Sequence, residues 1–326
     1  MDYFLGVDIG GTKSQALIAD AAGQVVGVGE GGAGNWEDVG YDGLRRTLRV
    51  ITLQALRNAG ISKDQVAGAG FGIAGYDWES QREPHLDAIR MLELEKARFT
   101  LVNDTIIGLI AGCPSGWGIG IVAGTRANCW GRDKQGRIGR MTGYGMRMAE
   151  AAGGLELVGK AVQAVALEWT RRGPPTQLTR LFIEFTGARD IEDLLEGLSL
   201  ERIQLDASAA PLVFQAAAEG DLVAIETILW AGREVGSLAV GVIRQLHFEA
   251  LTFDAVLIGS LYHGSSLLVQ AMEQTIHMVA PGARFVLLNV PPAVGGVLLG
   301  MEQCGIETST VRERLIESTK KKMTTR

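Results

Sequence analysis

The stretch Asp8-Ile9-Gly10-Gly11-Thr12-Lys13 stands between two short apolar runs and predicts a strand, a tight turn and a second strand. Gly10 and Gly11 carry no Cβ, so the backbone can turn sharply there and come close to a ligand. The N–H groups of such a turn suit a phosphate, to which Thr12 adds a hydroxyl donor and Lys13 a positive charge. The turn is therefore a candidate phosphate site.

Asp8 ends the first apolar run, at a position where a carboxylate has little structural reason to be. A hard cation such as Mg²⁺, bound directly or through water, would give that carboxylate a role. The alternative is a glycine hairpin with a solvated aspartate, and this stretch alone does not separate the two. Asp8 is therefore a candidate metal ligand.

The composition is that of a globular protein with a modest negative charge. The 326 residues are enough for two domains with separate cores, and a net charge of −6 without a basic stripe argues against nucleic acid as a partner. The three cysteines show no paired spacing, which argues against a disulfide framework and for a reducing compartment. Neither a signal peptide nor an apolar run of ~18 residues is visible, so we expect a cytoplasmic protein without a membrane span.

A second glycine-rich hairpin is predicted in the middle of the chain. One offset of 113 residues relates Gly11 to Gly124, Thr12 to Thr125, Asp20 to Asp133 and Gly23 to Gly136. On the same offset Lys13 corresponds to another cation, Arg126, whereas Asp8 corresponds to Ile121. We therefore expect two equivalent lobes, each opening with a hairpin, of which only the first keeps the candidate metal carboxylate.

Strands and helices alternate along the rest of the chain. Val66 to Ile73 and Arg98 to Val102 predict buried strands, and the second ends on Asn103-Asp104, directly before a helix over 105–111. This alternation is typical of a mostly parallel sheet covered by helices. Further strands are expected over 24–28, 253–258 and 284–289, and helices over 44–59, 155–172, 191–198, 209–219, 222–245, 295–303 and 310–318, with a polar helix ending near residue 94.

The loop over 113–116 is the expected boundary between the lobes. It gives an N-terminal lobe of residues 1–114, with the first hairpin, and a C-terminal lobe of residues 115–326, with the second. Return of the last helix to the N-terminal lobe stays open.

Several short motifs occur in an order that resembles the actin-like ATPase and sugar kinase superfamily. More narrowly, the chain resembles the BadF/BadG/BcrA/BcrD ATPase family and its N-acetylglucosamine kinase members. The motifs are the first hairpin, Val102-Asn103-Asp104 before a helix, Ala123 to Cys129 at the second hairpin, Gly259-Ser260 at a strand end, and Pro292 to Gly300. The resemblance covers nearly the whole chain.

The resemblance implies an α/β protein with a two-lobed actin-like ATPase (ribonuclease H-like) fold and a central nucleotide and sugar cleft. It implies an enzyme that phosphorylates an amino sugar with ATP and Mg²⁺, with a small-molecule sugar as its partner and a homodimer left open. Asp104 would be catalytic and Asp8 the metal ligand. The nucleotide and phosphate residues would be Gly10, Gly11, Thr12, Lys13, Gly124, Thr125, Arg126, Gly259 and Ser260. The sugar-binding residues would be Asn35, Gly75, Asp104, Asn128, Gly145 and Glu150.

Some positions depart from the family pattern. Arg126 and Ala127 replace the last two residues of the family's Gly-Thr-Gly-Ser hairpin, so Arg126 either brings a cation to the phosphates or blocks the backbone. Glu150 stands where the family has a sugar-binding aspartate, and Ala74 where its kinases often have serine. These departures leave the identity of the sugar open.

Three of the candidate site residues also have a plain structural alternative. Asp104 suits a general base, because a carboxylate at the end of a parallel strand faces the crevice where ligands bind, but it could equally cap the helix that follows. Asn35 is either a sugar ligand or a turn residue. Glu150 is either a sugar ligand or a surface carboxylate.

Rival motifs are weak. No Gly-x-x-x-x-Gly-Lys-Ser/Thr sequence exists, and Gly70-x-Gly72-x-x-Gly75 matches a dinucleotide fingerprint without an acidic residue at the end of the next strand. Three functions stay open, of which the amino-sugar kinase is favoured. The second is a nucleotide or sugar binder with weakened chemistry. The third is an ATPase that activates a dehydratase or reductase through an iron–sulfur cluster, which the lack of clustered cysteines disfavours.

Overall fold

The computed structural model describes residues 2–324, and its backbone is built around two sheets of five strands each. The first sheet has the order β3-β2-β1-β4-β5 and the second the order β10-β9-β6-β7-β8. The strands are β1 (Tyr3–Ile9), β2 (Ser14–Asp20), β3 (Val25–Gly31), β4 (Val66–Ile73), β5 (Arg98–Val102), β6 (Gly118–Ala123), β7 (Ala127–Arg132), β8 (Ile138–Arg140), β9 (Phe253–Ile258) and β10 (Ala283–Leu287).

Helices cover these sheets and form most of the chain after β8. They are α1 (Trp36–Ala59), α2 (Arg82–Arg90), α3 (Asp104–Gly112), α4 (Gly154–Trp169), α5 (Gln177–Thr186), α6 (Ile191–Ser199), α7 (Ala210–Ala218), α8 (Leu222–Leu246), α9 (Ser266–His277), α10 (Ala293–Gln303) and α11 (Arg312–Thr324). Within residues 2–324, every helix is too short or too polar to cross a bilayer.

The two sheets repeat one topology, which confirms the expected duplication. In each, three strands run antiparallel and two further strands add in parallel beside the first, so β1 to β5 correspond to β6 to β10. The sheets are therefore mixed, and the expectation of a mostly parallel sheet was wrong, because each lobe opens with antiparallel hairpins.

The turn after the second strand of each lobe is the same in detail. The Asp20 Oδ1 atom accepts from the N–H groups of Ala22 and Gln24, and the Asp133 Oδ1 atom accepts from those of Gln135 and Arg137, all at 2.8–2.9 Å. The glycines that close the two turns have φ of 81° in both lobes. The offset of 113 residues therefore holds structurally from β2 and β7 onward.

The register of the two hairpins corrects the expected counterpart of Asp8. Ile9 pairs with Ser14 across a turn of residues 10–13, whereas Ala123 pairs with Ala127 across a turn of residues 124–126. The second turn is thus one residue shorter than the first. The strands that precede the two turns, β1 and β6, are therefore related by an offset one residue larger than the offset between β2 and β7. Asp8 corresponds to Val122 and not to Ile121, and Gly10, not Gly11, corresponds to Gly124.

The sequence located most of the elements. The strands over 66–73, 98–102 and 253–258 are confirmed, as is the long helix α8, whose first turn Asp221 caps by accepting from the Ala224 N–H group at 2.9 Å. α5 was missed, although Leu178, Leu181 and Phe182 of α5 lie buried at helical spacing. The polar helix ends at residue 90, short of 94, and the last helix runs over 312–324.

Two helices lie between the sheets and approach them through glycine. A Cβ at Gly295 of α10 would overlap the carbonyl oxygen of Ile107 of α3, and a Cβ at Gly6 of β1 would overlap the carbonyl oxygen of Ala293. On the other side of α3, a Cβ at Gly120 of β6 would lie 2.9 Å from the Thr105 carbonyl oxygen. Backbone therefore packs directly on backbone through the centre of the molecule.

The last helix contacts the first sheet. Ser318 of α11 donates its hydroxyl to the Gly23 carbonyl at 2.9 Å, and its oxygen accepts from the Val25 N–H group at 3.1 Å. These contacts agree with a return of the last helix toward β3. The division of the chain into lobes at residues 114 and 115 stays a prediction.

We predict opposite effects for alanine at two helical glycines. Gly295→Ala forces a Cβ into the Ile107 backbone and should lower the free energy of unfolding by about 2–3 kcal/mol, the range of overpacking in a tight core. Gly159→Ala in α4, where a Cβ meets nothing within 4 Å, should raise it by about 0.5–1 kcal/mol. Chemical unfolding of both variants measures the difference. Wild-type stability of Gly295→Ala would contradict this account of the packing.

Candidate functional site

The two hairpin turns meet across the crevice between the sheets. The hydroxyl oxygens of Thr12 and Thr125 lie 3.2 Å apart. Each turn is closed by its first glycine, because the Gly10 N–H group donates to the Lys13 carbonyl at 3.1 Å and the Gly124 N–H group donates to the Arg126 carbonyl at 3.0 Å. The fold therefore brings both predicted phosphate turns to one place.

Gly11 lies at the tip of the first turn and opens toward the same crevice. A Cβ on this residue would lie 3.6 Å from an Asp38 carboxylate oxygen. Gly11 and Lys13 are both exposed. The positive charge of Lys13 lowers the pKa of the Asp8 carboxyl, against the larger effect of burial. The first turn thus keeps its tip open to a ligand.

Arg126 reaches across the crevice from the second turn to the first turn of α1. Its guanidinium pairs with the Glu37 carboxylate at 3.4 Å and the Asp38 carboxylate at 3.3 Å, and its side chain is about half exposed. Exposed ion pairs of this kind contribute only about 0–1 kcal/mol to stability, so a phosphate could replace the two carboxylates as the partner of the guanidinium. Arg126 is thus beside the predicted phosphate site and engaged with carboxylates there.

Gly259 and Ser260 lie beside the strand that leads into the second turn. Gly259 has φ of 119°, and a Cβ there would overlap the Ala123 carbonyl oxygen, so only glycine fits without strain. Ser260 begins the short helical turn after β9, from which Tyr262 donates its hydroxyl to the Ile121 carbonyl at 3.1 Å. The predicted adenosine motif therefore adjoins the predicted phosphate turn.

Asp104 is the first residue of α3, and its neighbour supplies the cap. The Asn103 Oδ1 atom accepts from the Thr105 N–H group at 2.9 Å, and the Asp104 Oδ1 atom accepts from the same group at 2.9 Å. Capping therefore does not require Asp104, because Asn103 already supplies it. Burial, and then the negative charge of Asp8, raise the pKa of the Asp104 carboxyl to about 7.

Asp8 adjoins Asp104 and has a pKa that is also raised to about 7 by burial, with the Lys13 charge acting against this. Asp8 and Asp104 are half-buried carboxyls whose negative charges repel each other, and a divalent cation would neutralise them. Within residues 2–324, no group of three histidine, cysteine, aspartate or glutamate side chains is arranged to hold a metal ion.

Asn35 and Gly75 lie together on the sugar side. The Asn35 Oδ1 atom accepts from the Glu37 N–H group at 3.1 Å, which caps α1, and Asn35 Nδ2 donates to the Glu37 carboxylate at 3.3 Å. Gly75 has φ of 79°, and a Cβ there would overlap Asn35 Oδ1. The Trp36 ring donates to the Gly75 carbonyl at 2.7 Å. Asn35 thus has a structural role as the cap of α1, and it lies next to Gly75 at the predicted sugar site.

Glu150 is buried and holds a loop. Only 2% of the residue is exposed, and its carboxylate accepts from the N–H groups of Thr142 at 2.6 Å and Tyr144 at 3.1 Å. Its own N–H group donates to the Gly145 carbonyl at 3.1 Å. The surface-carboxylate alternative is therefore wrong, because both oxygens of Glu150 are tied to the backbone of the 142–145 loop.

Asp77 lies in the same region and was not among the site residues that the sequence predicted. It is 6% exposed and accepts from the side-chain amides of Asn103 at 3.1 Å and Asn128 at 3.3 Å. Burial, and then the negative charges of Asp104 and Glu37, raise its pKa to about 7. Its position just past the end of β4, like that of Asp104 past β5, was the available signal.

The fold defines a class: the protein has the two-lobed actin-like ATPase fold of the sugar kinases. The two turns that are predicted to bind phosphate face each other in its crevice. The model of the BadF/BadG/BcrA/BcrD ATPase family matches residues 5–300. The chain belongs to the BadF/BadG/BcrA/BcrD ATPase family.

Relatives of the chain include two curated kinases and one solved structure. The N-acetylmuramic acid/N-acetylglucosamine kinase of Clostridium acetobutylicum is 25% identical over 93% of this chain and 100% of its own. The N-acetyl-D-glucosamine kinase of Dictyostelium discoideum is 23% identical over 92% of this chain and 98% of its own. The structure of a candidate N-acetylglucosamine kinase from Chromobacterium violaceum is 22% identical, covers 92% of this chain and 99% of its own, and has a TM-score of 0.67.

We predict that removing the charge of Asp104 stabilises the unliganded protein. Because the folded pKa is raised, the ionised carboxyl costs stability above that pKa, and Asp104→Asn should raise the free energy of unfolding by about 1–2 kcal/mol at about pH 8. The gain should shrink toward about pH 5, where the wild-type carboxyl is already neutral in the folded state. Thermal unfolding without nucleotide or metal measures it.

Asp193 is the matched control for this prediction. The Arg189 N–H group and the Arg202 side chain hold its pKa down at about 2, so the ionised carboxyl stabilises the fold above its unfolded pKa. Asp193→Asn should therefore lower stability at about pH 8. A loss of stability in Asp104→Asn, like the loss expected for Asp193→Asn, would refute the conclusion that the ionised Asp104 carboxyl destabilises the fold.

Proposed function

We propose that this protein transfers the γ-phosphoryl group of ATP to a hydroxyl of an amino sugar of the N-acetylglucosamine type. The observation that carries the proposal is the 3.2 Å distance between the Thr12 and Thr125 hydroxyls, together with the electrostatic interaction of the Asp8 and Asp104 carboxyls. Phosphoryl transfer needs donors on both sides of the phosphates, a metal and a base in line, and these residues would supply the donors, the metal ligand and the base. The activities of the curated relatives agree with it.

The nucleotide would lie between the two turns, with its phosphates against the backbone and the hydroxyls of these turns. Gly10, Gly11, Thr12 and Lys13 would hold them from the first sheet. The residues that would act from the second sheet are Gly124, Thr125 and Arg126 for the phosphates and Gly259 and Ser260 for the adenosine. In this arrangement Arg126 exchanges the carboxylates of α1 for a phosphate, which suits a guanidinium because it binds oxyanions through two N–H groups.

Asp8 would hold Mg²⁺ directly or through water. The ion neutralises negative charge on the phosphates as the phosphoryl group leaves. Val122, the counterpart of Asp8 in the second sheet, has no carboxylate, so a single ion would serve both turns.

Asp104 would act as the general base. The sugar hydroxyl oxygen forms the new bond to the γ-phosphorus, the bond to the bridging oxygen of ADP breaks, and the hydroxyl proton passes to the Asp104 carboxylate. A pKa of about 7 lets the carboxyl accept that proton near neutral pH and release it again.

The sugar would lie near the pair of Asn35 and Gly75, with Asn128 facing it from the second sheet. Gly145 and Glu150 would contribute through the 142–145 loop, whose backbone Glu150 fixes. The unpaired spacing of the cysteines favours a reducing compartment, and we propose that the enzyme works in the cytoplasm.

A second function is a nucleotide or sugar binder with weakened chemistry. The ion pairs of Arg126 with Glu37 and Asp38 favour it, because they occupy the cation beside the phosphate turns. A coupled assay of ATP turnover across a panel of amino sugars separates the two functions. Binding of ATP and of a sugar by calorimetry, without transfer to any member of the panel, would establish the binder and overturn the kinase.

We predict that Asp104→Asn lowers turnover of the best sugar by about 10²–10⁴-fold, the usual contribution of a general base. Sugar affinity should change little, because the amide keeps the shape and the hydrogen bond to the Thr105 N–H group. Asp190→Asn is the control, since Asp190 caps α6 by accepting from the Asp193 N–H group at 2.9 Å and should tolerate the change. Near-normal turnover of Asp104→Asn would remove Asp104 from the role of base.

We predict that Asp8→Asn weakens binding of ATP by about 10–100-fold when Mg²⁺ is present, a loss typical of a removed metal partner. Binding of the sugar, and of ATP in the presence of a chelator, should stay within a few fold of wild type. Titration calorimetry with and without Mg²⁺ gives each affinity. An equal loss for both ligands, or for neither, would count against Asp8 as the metal ligand.

A further inference from the structure

Asp77 receives hydrogen bonds from both sheets on a single oxygen atom. It lies just past the end of β4, and its Oδ1 atom accepts from Asn103 Nδ2 at 3.1 Å and from Asn128 Nδ2 at 3.3 Å. Asn103 follows β5 of the first sheet, whereas Asn128 lies in β7 of the second. One carboxylate oxygen thus joins the two walls of the crevice.

The orientation of both asparagine amides is determined by backbone donors. The Asn103 Oδ1 atom accepts from the Thr105 N–H group at 2.9 Å, and the Asn128 Oδ1 atom accepts from the Cys129 N–H group at 2.8 Å. Because each amide oxygen is already used, each Nδ2 group must point toward Asp77. The site therefore needs an acceptor at residue 77, and flipping either amide would break a second bond.

Asn103 connects this bond to the proposed base. Its side chain caps α3, and Asp104 is the first residue of that helix. Asn103 is 1% exposed, and its Nδ2 group also donates to the Tyr76 carbonyl at 3.3 Å, so losing Asp77 would leave one of its two amide hydrogens buried and unsatisfied. A shift of the side chain that relieves this would move the start of α3 and the Asp104 carboxyl with it.

We propose that Asp77 is a positioning residue that fixes Asp104, through Asn103, relative to Asn128 across the crevice. The inference rests on the proposed kinase function. The 142–145 loop closes over the same carboxylate: Gly143 has φ of 75°, and a Cβ there would lie 2.7 Å from the second Asp77 oxygen. Glycine lets the loop approach that close.

A purely stabilising role accounts poorly for a carboxylate at this position. Burial and the neighbouring charges of Asp104 and Glu37 oppose ionisation of Asp77. A carboxyl whose pKa is raised so far by its surroundings is typical of a functional site, where orientation outweighs stability.

The test compares variants of Asp77 that keep or lose the acceptor. Asp77→Leu has a similar volume and no acceptor, and should lower kcat by about 10²-fold, as expected when a catalytic group is displaced by about 1 Å. The KM for ATP should stay within a few fold of wild type. Asp77→Asn keeps one acceptor oxygen and should recover most of the turnover. If Asp77→Leu does not fold, Asp77→Ser, whose hydroxyl is too short to meet both amides, replaces it.

A double variant tests whether Asp77 acts through Asn103. Asp77→Leu combined with Asn103→Ala should lose no more kcat than the more impaired single variant, because both changes remove the same bond. Losses that multiply fully would overturn the inference.

Asp221 provides the control for stability. It is also buried, at 8% exposure, and its carboxylate accepts from the Thr176 hydroxyl at 2.8 Å and the Ala224 N–H group at 2.9 Å. Asp221→Leu should lower the melting temperature and leave kcat unchanged. An Asp77→Leu variant with wild-type kcat would overturn the inference, as would an Asp221→Leu variant with the same kcat loss.

A separate measurement does not depend on turnover. In wild type, the side-chain amide protons of Asn103 and Asn128 should exchange slowly with solvent in NMR spectra, and Asp77→Leu should accelerate both. Unchanged exchange would overturn the inference even if the wild type proves unable to transfer phosphate. Inactivity of the wild type on every sugar would overturn the proposed function alone.

Discussion

The close packing of α3 and α10 between the two sheets is the constraint on which the crevice depends. Gly295 lies on the backbone of Ile107, and Gly6 and Gly120 let the sheets approach these helices from either side. A side chain at any of these positions would push the layers apart. Because the layers pack closely, the hydroxyls of Thr12 and Thr125 in the two turns come within hydrogen-bond distance. The crevice is therefore a product of backbone packing as much as of the residues that line it.

The same packing gathers carboxylates at an energetic cost. Asp8, Asp77 and Asp104 all follow or end parallel strands of the first sheet, and burial raises the pKa of each to about 7. Asp193, which has N–H and guanidinium partners, shows the opposite shift. The protein thus stabilises carboxylates that serve its structure and leaves those in the crevice poorly compensated. Under the proposed function, Mg²⁺ and the proton of the sugar hydroxyl would supply the compensation that Asp8 and Asp104 lack.

Local sequence signals predicted the two hairpins of the candidate site because each hairpin is local. Each needs only apolar strands and a glycine turn, so both hairpins and the strand before Asp104 were recognised from short segments. The counterpart of Asp8 was misplaced because identities at one offset cannot reveal a turn that is one residue shorter, and pairing between strands decides the register. α5 was missed although its buried face follows the ordinary helical spacing.

The sequence by itself determined the duplicated strand–turn–strand units, most helices and the residues at the strand ends, since these follow from periodicity and glycine over a few residues. Only the tertiary structure decided which side chains meet. Arg126 pairs with Glu37 across 89 residues of chain, and Asp77 accepts from Asn128 across 51. The carboxylate of the buried Glu150 accepts hydrogen bonds from backbone N–H groups of its own loop. Such pairings depend on how two separately encoded sheets come together, and no pattern within either sheet specifies that distance.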